Sequence, residues 1–146
     1  MVIPKRMHAD LVARFDGQRV PLYTSYPTSP HFTDAIGDAD YQTLLTGLPG
    51  DTKLSLYLHV PFCRSMCWYC GCHTRIVAHD EPIQSYLRAL GAEIRMVAAA
   101  LPQRMNVRHI HWGGGTPTIM APEEFRNLTA VLHDCFDVAD DAEIAI

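Results

Sequence analysis

The chain has 146 residues, 48% hydrophobic and 19% charged, with 12 basic against 16 acidic side chains and a net charge of −4. That length and apolar content suit one compact domain, or part of a larger one, and exclude wholesale disorder. Mild acidity leaves no basic stripe for nucleic acid, no apolar run approaches the ~20 residues of a membrane span, and the start carries no secretory signal, so a cytoplasmic protein without nucleic-acid or membrane partners is predicted.

Residues 1–50 read as an N-terminal arm with no sustained period. His8 to Asp16 suits a short helix, with Leu11 and Phe15 four apart. The prolines between Pro21 and Pro30 enforce an extended course, and Tyr41 to Leu48 suits another short helix closed by Gly47-Leu-Pro-Gly50. From Lys53 the pattern changes. Leu54, Leu56, Leu58 and Val60 alternate with Ser55, Tyr57 and His59, the period of a strand, which Pro61 ends. Its aliphatic face is expected under helices, and its polar face points to a cavity, since strands of α/β layers are usually apolar on both faces. His59 suits either lining that cavity or a satisfied place in the core.

After a cysteine-rich loop, Ile83, Leu87, Leu90, Ile94, Val97 and Leu101 form one apolar helical stripe, opened by Pro82 and stopped by Pro102. Val107 to Trp112 is a second strand running into Gly113-Gly-Gly-Thr-Pro-Thr118. Pro122 opens a second helix with Phe125, Leu128, Leu132, Cys135 and Phe136 on one side, and Ala142 to Ile146 begins a third strand. This order predicts an α/β fold with a parallel sheet. Three strands cannot close a barrel, so residues 51–146 read as part of a larger domain, truncated in the third strand.

Four of the five cysteines, Cys63, Cys67, Cys70 and Cys72, fall within ten residues. A secreted disulfide scaffold spreads an even set along the chain, so these thiols read as metal ligands or redox groups. Cys63, Cys67 and Cys70 form C-x₃-C-x₂-C, which suits three irons of one cubane cluster and leaves the fourth iron open to a substrate or cofactor. The alternative is a structural zinc with Cys72 or His73 as fourth ligand, although zinc knuckles usually come as two separated pairs. Gly113 to Thr116 follows the second strand on the same rim. Glycines there permit close backbone approach, and their amides can receive a carboxylate. The spacing is neither a dinucleotide fingerprint nor a phosphate loop.

The cysteine run after strand one and the Gly-Gly-Thr-Pro stretch after strand two resemble the radical S-adenosylmethionine (SAM) superfamily. Tyr23 to Thr28, Tyr57 to Cys63, Cys70-Gly-Cys72 and His111 to Thr118 more closely resemble its oxygen-independent coproporphyrinogen III oxidase family, over roughly residues 8 to 146. The resemblance implies the first strands and helices of a partial (β/α)6 barrel. It implies a 4Fe–4S cluster on Cys63, Cys67 and Cys70, with SAM on the open iron. Tyr57 and Tyr69 match contacts to that SAM, and Gly114 lies along it. Gly115 and Thr116 match contacts to a second SAM, and Cys72 is not a ligand.

The implied reaction turns two propionate side chains of coproporphyrinogen III into vinyl groups, giving protoporphyrinogen IX for haem biosynthesis. A 5′-deoxyadenosyl radical takes a hydrogen from each propionate, which then loses CO₂ and an electron. The partners implied are the substrate and an electron donor for the cluster, with a monomer as the full-length state. Leu22 stands where many relatives have an arginine, which leaves one substrate carboxylate contact unmatched. Further SAM-binding residues of the family lie beyond Ile146 and an open half-barrel gives no closed cavity, so the 146-residue chain is expected to be inactive alone. A branched residue at Gly115 is expected to hinder SAM and leave iron content intact. The rivals are a haem chaperone of the same superfamily, which usually follows the third cysteine with Asp-Phe, and a non-enzymatic zinc-binding module.

Overall fold

The computed structural model describes residues 13–14, 28–68, 70, 71 and 73–146. Of the helix expected at residues 8–16, Ala13 and Arg14 are described and helical; the stiffened arm at 21–27 lies outside the described residues. Two compact units divide at Ile36 and Gly37. In the first, a 3₁₀ turn covers Ser29–His31, and Thr28 Oγ1 hydrogen-bonds His31 Nδ1 at 2.9 Å.

The second unit opens with α1 (Asp38–Thr46). It starts three residues before the expected Tyr41 because Asp40 turns back to accept the Gly37 N–H at 2.9 Å, occupying a donor that a helix start otherwise leaves free. Strand β1 (Lys53–Val60) follows, then two-residue strands β2 (Phe62–Cys63) and β3 (Arg75–Ile76), helix α2 (Glu81–Ala100), β4 (Asn106–Gly114), a 3₁₀ turn at Pro117–Ile119, α3 (Pro122–Cys135) and β5 (Asp137–Ala145). Thr46 Oγ1 donates to the Ala100 carbonyl at 3.1 Å and Gln103 Nε2 to the Gly50 carbonyl at 2.8 Å, so residues 37–50 pack with the strands and helices that follow them.

Strands β1, β4 and β5 form one parallel sheet in the order β1-β4-β5, each joined to the next through a helix. Parallel neighbours need such crossovers, which is why helices and strands alternate along the chain. One face of the sheet carries Leu58, Val60, Ile110 and Trp112, all buried under Ile83, Leu87 and Ile94 of α2 and Leu128 and Leu132 of α3. Each such side chain stabilises the fold by about 1.5–3 kcal/mol on burial. Trp112 and Phe125 pack with ring centroids 4.9 Å apart. Helix α3 starts as expected at Pro122, and the Ala121 N–H is capped by Glu124 Oε2 at 2.8 Å.

Two features differ from expectation. Strand β5 begins at Asp137, five residues before Ala142. Its pairing jumps from Val107↔Val138 to His109↔Glu143, a bulge that places Ala139 to Ala142 out of register and hides the strand's period. Arg108 grips Asp141 of this bulge in a fork, with both N···O distances 2.8 Å. The second difference is the parallel β2–β3 pair, which brackets the cysteine loop and pairs Phe62 with Arg75 and Cys63 with Ile76. Two-residue strands carry no periodicity to read.

Candidate functional site

The C-terminal ends of β1 and β4 lie side by side, with Val60 opposite Gly114, and both the cysteine loop and the glycine turn spring from that rim. In parallel α/β folds this is the end at which chemistry is placed. The cysteine loop is clamped at its base, where the Arg75 N–H donates to the Pro61 carbonyl at 2.7 Å and the Val77 N–H to the Cys63 carbonyl at 3.0 Å. Arg64 ties the start of the loop to the start of α2, donating to the Val77 carbonyl at 3.3 Å and pairing with Asp80.

The glycine turn extends the sheet past β4. The Gly115 N–H donates to the Val60 carbonyl and the Thr116 N–H to the Phe62 carbonyl, each at 2.9 Å. Gly114 has φ +112°, and a Cβ there would stand 2.8 Å from the Val60 oxygen, so the position demands glycine twice over. Thr116 Oγ1 lies 3.1 Å from Cys63 Sγ. A Cβ on Gly115 would stand 2.7 Å from the Phe62 carbonyl oxygen and 3.0 Å from that same sulfur. A branched residue at 115 would therefore press on the Phe62 carbonyl and on Cys63 itself.

Cys63 and Cys70 are half-buried and Cys67 exposed, and all three are free thiols. Within the loop the Cys70 N–H donates to the Cys67 carbonyl at 3.1 Å. Tyr69 and Cys72 lie outside the described residues. Among the described residues no three His, Cys, Asp or Glu side chains are grouped to hold a single metal ion. A tetrahedral zinc needs its ligands gathered about one point, whereas a cubane meets each cysteine at a separate corner. Three free thiols on one loop, with no side chain at Gly115 to crowd the sulfur of Cys63, fit the cluster.

Tyr57 projects from the inner face of β1, opposite His111 of β4. The two rings stack with centroids 5.6 Å apart and 18° between planes, and the Tyr57 hydroxyl bonds His59 Nδ1 at 3.0 Å. A Cβ on Gly113 would come within 2.6 Å of the Tyr57 ring, so the first glycine of the turn seats this tyrosine. His59 thus lines the inner face. Its backbone carbonyl accepts the Tyr86 hydroxyl of α2 at 2.6 Å. Burial, and then the negative charge of Glu93, raise the Tyr86 pKa above 10. Sequence reasoning did not single out His111 or Tyr86. The alternation of His109 and His111 with Ile110 and Trp112 was the available signal for the first; the second is visible only once α2 is laid on β1.

Among the described residues, no helix is long and apolar enough to cross a membrane. The model of the Radical SAM superfamily matches residues 57–145. The chain is 54% identical over 140 residues to an oxygen-independent coproporphyrinogen III oxidase of Bradyrhizobium diazoefficiens, covering 96% of this chain and 31% of that one. It is 40% identical to an oxygen-independent coproporphyrinogen III oxidase of Mannheimia haemolytica, covering 86% of this chain and 85% of that sequence. Among solved structures, the coproporphyrinogen III oxidase of Escherichia coli, described as a radical SAM enzyme, superposes with a TM-score of 0.75 at 35% identity, over 84% of this chain and 28% of that one. The chain thus spans about a third of the length of the Bradyrhizobium diazoefficiens relative.

Proposed function

Because the chain belongs to the radical SAM superfamily, and within it to the oxygen-independent coproporphyrinogen III oxidases, we propose that it supplies the cluster-bearing part of an enzyme converting coproporphyrinogen III to protoporphyrinogen IX. Residues 51–146 are then the N-terminal portion of the barrel domain, with 1–50 its arm. The observation that carries the reading is the contact of Cys63, first of three free thiols on one loop after β1, with the glycine turn at the end of β4.

In this reading Cys63, Cys67 and Cys70 hold a 4Fe–4S cluster. Tyr57, Tyr69 and Gly114 contact a first SAM, and Gly115 and Thr116 a second. When bound, cluster and SAM would supply a radical that takes a hydrogen atom from each propionate side chain, which becomes vinyl by losing CO₂ and passing one further electron to an external acceptor. The residues of this chain position those groups. The stacked His111 and the missing side chain of Gly113 hold the Tyr57 ring in one orientation. The left-handed turn at Gly114 brings the backbone close to the rim without a side chain in the way. The enzyme is read as cytoplasmic and monomeric at full length, with an electron donor for the cluster.

Anaerobic reconstitution tests this. The chain is expected to take up about four irons per cluster and turn brown. Cys63→Ala, Cys67→Ala or Cys70→Ala abolishes uptake, while Cys72→Ser and Cys135→Ser leave it largely intact. One zinc and no iron after anaerobic preparation would overturn the proposal in favour of a zinc module. Given SAM, a low-potential reductant and coproporphyrinogen III, the same preparation is expected to form no protoporphyrin. Tyr57, on the reacting face, is 60% exposed, and radical chemistry needs a closed cavity. Protoporphyrin formed by these 146 residues at the rate of a full-length relative would refute that expectation.

A further inference from the structure

We propose that the Thr116 hydroxyl donates a hydrogen bond to the sulfur of Cys63 and thereby raises the reduction potential of the cluster held there. This rests on the reading of Cys63 as a cluster ligand, and it is independent of any contact between Thr116 and SAM.

The oxygen and sulfur are 3.1 Å apart, and backbone bonds fix both ends of the pair. The Thr116 N–H is bonded to the Phe62 carbonyl at 2.9 Å, and the Cys63 carbonyl accepts the Val77 N–H at 3.0 Å. Thr116 is thus held one residue away from the cysteine it addresses, across a ladder that joins the glycine turn to β2. Cys67 and Cys70 sit further out on the loop, bonded to each other through the backbone. Cys63 is the cysteine whose surroundings the fold specifies.

In the free thiol either atom can donate. Once the sulfur is a thiolate on iron it has lone pairs only, so the hydroxyl must be the donor. The reduced cluster carries one more negative charge than the oxidised one, shared with its sulfurs. A donated proton therefore stabilises the reduced state more, and hydrogen bonds to sulfur are a recognised control on cluster potential. Gly115 belongs to the same device. A Cβ at that position would stand 3.0 Å from the same sulfur.

The test is a redox titration of the anaerobically reconstituted full chain without SAM, followed by the electron paramagnetic resonance of the reduced cluster, for the parent, Thr116→Val, Thr116→Ala and Thr116→Ser. Valine and alanine are expected to shift the midpoint potential to more negative values at unchanged iron content, and serine to keep the parent value. A parent potential retained by valine or alanine overturns the proposal. So does loss of iron in both with retention in serine, because the hydroxyl then holds the cluster and does not tune it. Absence of iron in the parent overturns the functional reading, and this proposal with it.

Discussion

On the outer face of the sheet Leu58, Val60, Ile110 and Trp112 are at most 4% exposed, packed beneath α2 and α3. On the inner face, one residue along the same strands, Tyr57, His109 and His111 stand in the open. The backbone is shared, so the difference lies entirely in which side chains the sequence sends each way. The outer face is a matter of volume and shape. The inner face has no packing to satisfy, yet it holds its rings in a defined arrangement: Tyr57 is stacked on His111, bonded to His59 and seated on Gly113. In the proposed reading this is the face that meets the cofactor.

The sharpest way to break this comparison is to truncate neighbours that face opposite ways. Trp112→Ala is expected to destabilise the fold by about 3–5 kcal/mol, since it empties a buried site against Phe125. His111→Ala, one residue earlier, is expected to change stability by no more than about 0.5 kcal/mol. Urea unfolding of the two variants measures both, and equal losses would show that the inner face is also structural. Gly114→Ala tests the rim where the faces meet. Its positive φ predicts a cost of about 1–3 kcal/mol, checked by the same unfolding curves.

Tyr86→Phe removes a single hydroxyl and ties the two regions together, because Tyr86 lies on α2 and bonds the backbone of His59. Loss of that bond is expected to cost about 1 kcal/mol. The raised pKa gives the sign of the pH effect: folding favours the neutral phenol, so this contribution is present below pH 10 and is lost as pH rises through the folded pKa. The phenylalanine variant should accordingly lose less stability than the parent in the alkaline range, as read by thermal melts across pH.

Much of this arrangement was legible in the residues. The strict alternation of Leu54 to Val60 forecast both faces of β1, and the stripe from Ile83 to Ile94 forecast α2, because burial is written directly into periodicity. The cysteine spacing and the glycine turn pointed to one rim because they follow successive parallel strands. What escaped depended on pairing. Tyr57 meets His111 through strand register, and no local pattern states a register. The start of β5 was hidden by a bulge whose Asp140 and Asp141 look like a loop, and the β2–β3 clamp is too short to announce itself. Tyr69 and Cys72, read from the sequence, fall outside the described residues.

That clamp also bears on how a metal centre is assembled. The two ends of the cysteine loop are joined by the chain's own β2–β3 bonds, with no metal needed to close it. The chain entropy lost in bringing such a loop's ends together is therefore charged to folding and not to metal capture. If the three cysteines hold a cluster as proposed, the clamp keeps Cys67 and Cys70 tethered to Cys63, at an effective concentration above that of free thiols in solution. Lengthening the outer part of the loop would dilute them only gradually, while opening the clamp would release all three at once.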